Sequence, residues 1–151
     1  MAQTLQVKYR PTDYESVVGQ EHITDLLRGL RNNGGYKFSN SIIFYGSAGS
    51  GKTTSARIYA KSINCLAPVN GEACNKCENC VEFNKGSYPD FLEIDGASYG
   101  KVEDARKLIE IFNQYTINPN GYRIILIDEC HRLSKQAWDI FLKPLEEGQT
   151  K

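Results

Sequence analysis

The chain has no long apolar stretch. Its longest hydrophobic runs, Ile42–Tyr45 and Ile124–Ile127, are four residues each, far short of the ~20 that a membrane-spanning helix needs. The N-terminus, MAQTLQVKYRPTDY, holds no apolar core of the kind a secretory leader uses. Charge of neither sign is in excess, since 18 Lys plus Arg balance 18 Asp plus Glu. A surface that coats nucleic acid through overall basicity is thereby excluded, although a local patch is not. Neither an internal repeat nor a low-complexity tract is present. What is there is globular in composition: 151 residues, 40% hydrophobic and 24% charged, about one domain's worth. The expectation is a cytoplasmic chain with no membrane segment. In that compartment five cysteines are not read as a disulfide framework.

Periodicity supplies the elements. Ile23, Leu26, Leu27 and Leu30 form one apolar stripe over Glu21–Asn32, a helix that Gly34 and Gly35 close. Ser41–Tyr45 reads as a short buried strand, and Lys52–Asn64 as a helix with Ala56, Tyr59, Ala60 and Ile63 on one side. Pro68, Asn70, Gly71 and Asn75 break either period and predict a loop. Phe91–Ile94 reads as a second strand, Lys101–Tyr115 as the clearest helix, and Arg123–Ile127 as a third strand after an Asn118–Gly121 turn. The last helix starts near Ser134, a suitable N-cap, and carries Ala137, Ile140, Phe141 and Leu145. Strands alternating with helices predict an α/β fold with a parallel sheet covered on both faces.

Gly46-Ser47-Ala48-Gly49-Ser50-Gly51-Lys52-Thr53 fits G-x-x-x-x-G-K-[ST] between a predicted strand and a predicted helix, which is the context this motif requires. Glycines let successive backbone N–H groups turn inward on phosphate oxygens, and the helix adds the positive end of its dipole. Lys52 would reach the β- and γ-phosphates, and the Thr53 hydroxyl would hold magnesium. The strand Ile124–Ile127 then delivers Asp128 and Glu129 to its C-terminal edge, where ligands bind in open α/β sheets. Asp128 would hold magnesium, and Glu129 would act as general base on the attacking water. The two motifs together predict a P-loop nucleoside triphosphatase that uses ATP.

Cys65, Cys74, Cys77 and Cys80 fall within 16 residues in the pattern C-x8-C-x2-C-x2-C. Four thiolates suit a closed tetrahedral zinc site that folds a loop too polar to fold itself. An iron–sulfur cluster or a redox dithiol are the rivals. Cys130 reads as a small buried hydrophobe, His22 and His131 as hydrogen-bonded structural groups, and Trp138 as core. The string Asp128-Glu129-Cys130-His131 also matches the DExH box of helicases.

These motifs in combination resemble the gamma/tau-type clamp-loader ATPases of bacterial DNA polymerase III, in the AAA+ superfamily. Lys8–Pro11 and Val17–His22 look like that family's opening, near the adenine, and Gly46–Thr54, Thr54 included, matches its P-loop. The four cysteines fall where the family inserts a zinc module. Glu93–Ser98 and Lys101–Arg106 resemble the strand and helix that follow, Leu126–Ser134 the Walker B block, and Leu142–Glu147 the next helix. Pro144 and Gly148 depart locally from the pattern. The resemblance implies a three-layer P-loop sheet with helices on both faces, a zinc module at 65–80, and an ATPase core over 1–151 truncated after the Walker B helix. It also implies ATP, magnesium and zinc as cofactors, and other clamp-loader subunits, a sliding clamp and primer–template DNA as partners. A DExH-type helicase-like ATPase, or a zinc scaffold that binds nucleotide without turnover, are the alternatives. In AAA+ folds a later strand enters the sheet, and an arginine finger and a helical lid lie further on. None is found in these 151 residues, so this stretch alone is expected to bind ATP poorly and to hydrolyse it negligibly.

Overall fold

The computed structural model describes residues 9–34, 41–99, 101–119 and 121–147, with side chains as far as 142. Lys8, Gly35, Asn120 and Gly148, and the side chains of Pro144 and Leu145, lie outside the described residues. The chain forms two compact units. The first comprises 1–38 and 43–87, the second 39–42 and 88–151.

In the first unit α1 (Glu21–Asn32) and α2 (Lys52–Asn64) have the predicted bounds. Glu21 in the first turn of α1 and Arg31 in its last match the helix dipole. The stripe holds in part: Leu27 is buried and Ile23 and Leu30 pack beside it, while Leu26 is exposed. The core joins Tyr14, Leu27, Ile58 and Tyr59, with Phe44 and Ile63 against them. Arg31 Nε donates to the Ser62 carbonyl at 2.8 Å, fixing α1 to the end of α2. The cysteine loop follows. Val69 and Glu72 exchange backbone hydrogen bonds around Asn70 and Gly71, both at positive φ, the backbone that a tight Asn-Gly turn demands. A short helix that the periodicity did not predict, α3 (Glu78–Lys85), carries Cys80 and stops at left-handed Gly86.

The second unit is a β-α-β-α arrangement: β1 (Phe91–Asp95), α4 (Val102–Phe112), β2 (Ile124–Asp128), a 3-10 turn at Cys130–Arg132, and α5 (Lys135–Glu147). β1 and β2 are parallel and in register, from Phe91 opposite Ile124 to Asp95 opposite Asp128. Ser134 Oγ accepts from the Ala137 N–H at 3.2 Å, the expected cap of α5. The core is Ile94, Ala105, Leu108, Leu133, Ala137 and Phe141, with Leu92, Ile125, Ile127, Cys130 and Trp138 packed against it. Alternation along each strand puts Leu92, Ile94, Ile125 and Ile127 on one face, and residues of both α4 and α5 meet that face. At the other end of the strands Asp90 and Arg123 form an ion pair at 2.8 Å with side chains 0% and 9% exposed. Arg123 also donates to the carbonyls of Ile111, Gln114 and Tyr115. Asp90 accepts from the Ile117 and Asn118 N–H groups, so the pair fastens the α4–β2 connection.

Two expectations need correction. Ser41–Tyr45 is not a strand: no ladder among the described residues includes it, and Ile43 and Tyr45 are 81% and 98% exposed. An apolar run becomes a strand only when a neighbour takes its backbone groups. The sheet among the described residues accordingly has two strands, not three. Every residue of β2 is half-buried. The helix read as Lys101–Tyr115 is also shorter, and Tyr115 is 97% exposed beyond its end.

Candidate functional site

Three constellations can be built up from the residues. The first is the loop Gly46–Thr54, contiguous with α2. Gly49 and Gly51 take φ of +75° and +83°, conformations that a side chain strains. Gly51 is the N-cap of α2, and its carbonyl accepts from Ser55 N–H at 2.8 Å. The helix therefore begins at Lys52, and the N–H groups of its first turn have no partner within the helix itself. Lys52 Nζ donates to the Ser47 carbonyl at 2.7 Å, which holds the ammonium across the turn. Gly46 to Gly49 are exposed. A glycine-rich loop, a helix N-terminus and a positioned cation adjoin here, the ingredients of an anion cradle.

The second constellation is the end of β2. Asp128 is its last residue, and Glu129 follows at φ +51°, ψ +38°. A non-glycine residue in that region costs of order 1 kcal/mol and is held only by its surroundings. The hold is visible: Glu129 N–H donates to Asp128 Oδ1 at 3.0 Å, and Glu129 caps the 3-10 turn. The Glu129 side chain is exposed, with His131 Nε2 3.4 Å from its Oε2. Asp95, which the sequence did not single out, is in register with Asp128 and accepts from Ala97 N–H. The loop and these carboxylates belong to different units. Cys130, expected to be buried, is half-buried and packs against the core.

The third constellation is the cysteine set. The sulfurs of Cys65, Cys74, Cys77 and Cys80 all lie within 4.8 Å of one another, with Cys65 and Cys77 3.9 Å apart. One ion with four Zn–S bonds of ~2.3 Å sets the sulfurs ~3.8 Å apart. The spacing fits a single tetrahedral ion. Cys80 is 0% and Cys65 5% exposed. Burial pushes both thiols up from their ordinary range. At Cys74 the N–H of Lys76 and that of Cys77 outweigh burial and draw the thiol down to about 6. Cys74 N–H donates to Cys65 Sγ at 3.2 Å and Cys77 N–H to Cys74 Sγ at 3.3 Å, bonds that favour thiolates. Cys65 ends α2 and Cys77 caps α3, so two helices fix the set.

One further residue was missed. Lys61, on α2, is 3% exposed and donates to Thr12 O, Asn75 Oδ1 and Asn84 Oδ1. The only signal in the sequence was its place one helical turn before Cys65.

The described residues thus define a mixed α/β protein with a small parallel sheet, a glycine-rich loop that starts a helix, and a four-cysteine cluster. The family model described as "DNA polymerase III, delta subunit" matches residues 19–151, and the chain belongs to that family. It is 42% identical over 146 residues to the DNA polymerase III subunit tau/gamma of Haemophilus influenzae, covering 96% of this chain and 21% of that protein. To the subunit tau of Escherichia coli it is 40% identical, covering 96% and 22%. To the subunit gamma of Buchnera aphidicola subsp. Baizongia pistaciae it is 39% identical, covering 93% and 37%. The match falls on the N-terminal region of these proteins. The chain therefore spans between about a fifth and two-fifths of the length of these curated relatives. Among the described residues no helix is long and apolar enough to cross a membrane.

Proposed function

We propose that this chain is the ATP-binding and hydrolysing part of a cytoplasmic clamp-loader subunit in a replicative DNA polymerase III. In this reading residues 1–151 form an AAA+ ATPase region with a zinc module at 65–80, and β1 and β2 belong to a three-layer P-loop sheet. The observation that carries it is the loop Gly46–Thr54: left-handed Gly49 and Gly51 feed α2, and Lys52 is held across the turn. The names of the relatives support the same assignment.

The loop's backbone N–H groups would receive the phosphates of ATP, with Lys52 neutralising charge that grows on the β- and γ-phosphates. Thr53 and Asp128 would hold magnesium, whose chemistry is to draw charge from the phosphate oxygens. Glu129 would accept the proton of the attacking water. Cys65, Cys74, Cys77 and Cys80 would hold one zinc with no open position for water, a folding role and not a hydrolytic one. The partners would be other loader subunits, a sliding clamp and primer–template DNA.

In the assembled complex, Glu129→Gln is expected to keep ATP binding and to lose hydrolysis by ~10²–10⁴-fold, as when a general base alone is removed. Steady-state hydrolysis at the wild-type rate in that variant would overturn the role given to Glu129.

A further inference from the structure

We propose that Lys61 is the charge partner of the four-cysteine metal site, a buried cation that keeps the thiolates and their metal ion in place. Four thiolates around a divalent ion leave two negative charges in a site that burial removes from water. Such a centre needs positive charge or donors behind it, and these outer groups tune how firmly the metal is held.

Lys61 is placed to supply that charge. It stands in the last turn of α2, one turn before Cys65, where a cation also suits the helix dipole. Its ammonium is gripped by three neutral oxygens: the Thr12 carbonyl from the N-terminal segment, Asn75 Oδ1 from between Cys74 and Cys77, and Asn84 Oδ1 from α3. A buried cation with only neutral partners is costly unless negative charge stands near. Burial draws the ammonium below the ordinary lysine range, and the negative charge of Cys80, Asp13, Cys65 and Glu72, in that order, works against it. The link is also mechanical. Asn75, which holds Lys61, stands between Cys74 and Cys77, and Asn84 lies four residues past Cys80 on α3. Lys61 thus ties α2, the cysteine loop and α3 around the sulfurs.

The inference rests on reading the cysteines as a metal site, and one experiment separates the two. Wild type, Lys61→Met, Lys61→Gln and Lys61→Arg are purified reduced, and bound zinc and its release to a chelating dye are measured. Each protein is then reloaded with cobalt, and its thiolate-to-metal charge-transfer band is recorded. Lys61→Met and Lys61→Gln are expected to release zinc ~10-fold faster or more. Their cobalt band should move to longer wavelength, because the sulfur electrons lose a nearby cation. Lys61→Arg should stay near wild type in both. Release at the wild-type rate from Lys61→Gln would overturn the proposal, as would equal loss from Lys61→Arg, which would make shape and not charge the cause. Should Lys61→Met or Lys61→Gln fail to fold, Asn75→Gly keeps the left-handed backbone and removes only the carboxamide that holds the ammonium. It should release zinc faster than wild type, and an unchanged rate would count against the role. A wild-type protein free of metal would instead defeat the metal-site reading itself.

Discussion

The glycine-rich loop and the cysteine set stand at the two ends of one helix and are built in opposite ways. At the N-terminus of α2 the loop is built mostly of backbone and small side chains, with Lys52 reaching back across it, and Gly46 to Gly49 are exposed. At its C-terminus the working groups are side chains, and Cys65 and Cys80 are almost wholly buried. The contrast follows from what each end would hold. A nucleotide enters and leaves, so its cradle stays open and is assembled from donors that burial would strand. A structural ion stays, so its ligands are closed off and backed by hydrogen bonds. On the proposed reading, one end would serve exchange and the other retention.

The sharpest way to break this comparison is to remove a ligand at the retained end. Cys80→Ser is expected to take bound zinc from one per chain to none and to abolish the cooperative thermal transition of the first unit. Apparent zinc-binding free energies in small sites run to about 10–16 kcal/mol, so no smaller effect is expected to rival it. Elemental analysis and calorimetry check both parts.

A second, smaller effect sharpens the comparison with a different buried charge. Asp90 and Arg123 form a direct ion pair, whereas Lys61 is held by neutral oxygens. Asp90→Asn leaves Arg123 buried without its anion and should cost ~3–5 kcal/mol, read as a lower midpoint in chemical denaturation. Burial opposes the charge on Asp90, but the Asn118 N–H, Arg123 and the Ile117 N–H outweigh it and hold the carboxyl below its ordinary range. The sign follows: this stability is fully present above the unfolded carboxyl's pKa of ~3.9 and fades as pH falls through the lower folded value. Wild type should therefore lose stability in acid more steeply than Asp90→Asn. Parallel acid profiles would contradict the assignment.

What could be read in the sequence follows the same division between local and distant. α1 and α2 were legible to the residue because an apolar stripe, Gly51 and Gly34 are all local signals. The cysteines were legible because their ligand spacing fits into 16 residues. Ser41–Tyr45 was misread as a strand because strand formation depends on a partner that apolar content does not supply. The left-handed Glu129 was invisible, since its conformation is set by the carboxylate of Asp128 and the turn after it. Lys61 was passed over because a lysine reads as solvated until the acceptors Thr12, Asn75 and Asn84, distant in sequence, are brought to it. The register of Asp95 with Asp128 was equally out of reach.

The smallest expected change in stability belongs to Lys52→Ala. Its ammonium makes one hydrogen bond to the Ser47 carbonyl in an open loop, so the thermal midpoint should hardly move, within about 0.5 kcal/mol of wild type. The same variant gives the most direct test of the central claim, that Gly46–Thr54 is an ATP site. Calorimetric titration of the intact subunit with magnesium and ATP should give saturable binding in wild type and a loss of at least ~10-fold in affinity in Lys52→Ala, because the phosphates lose their fixed cation. Equal affinity in the two proteins, both folded, would contradict the account.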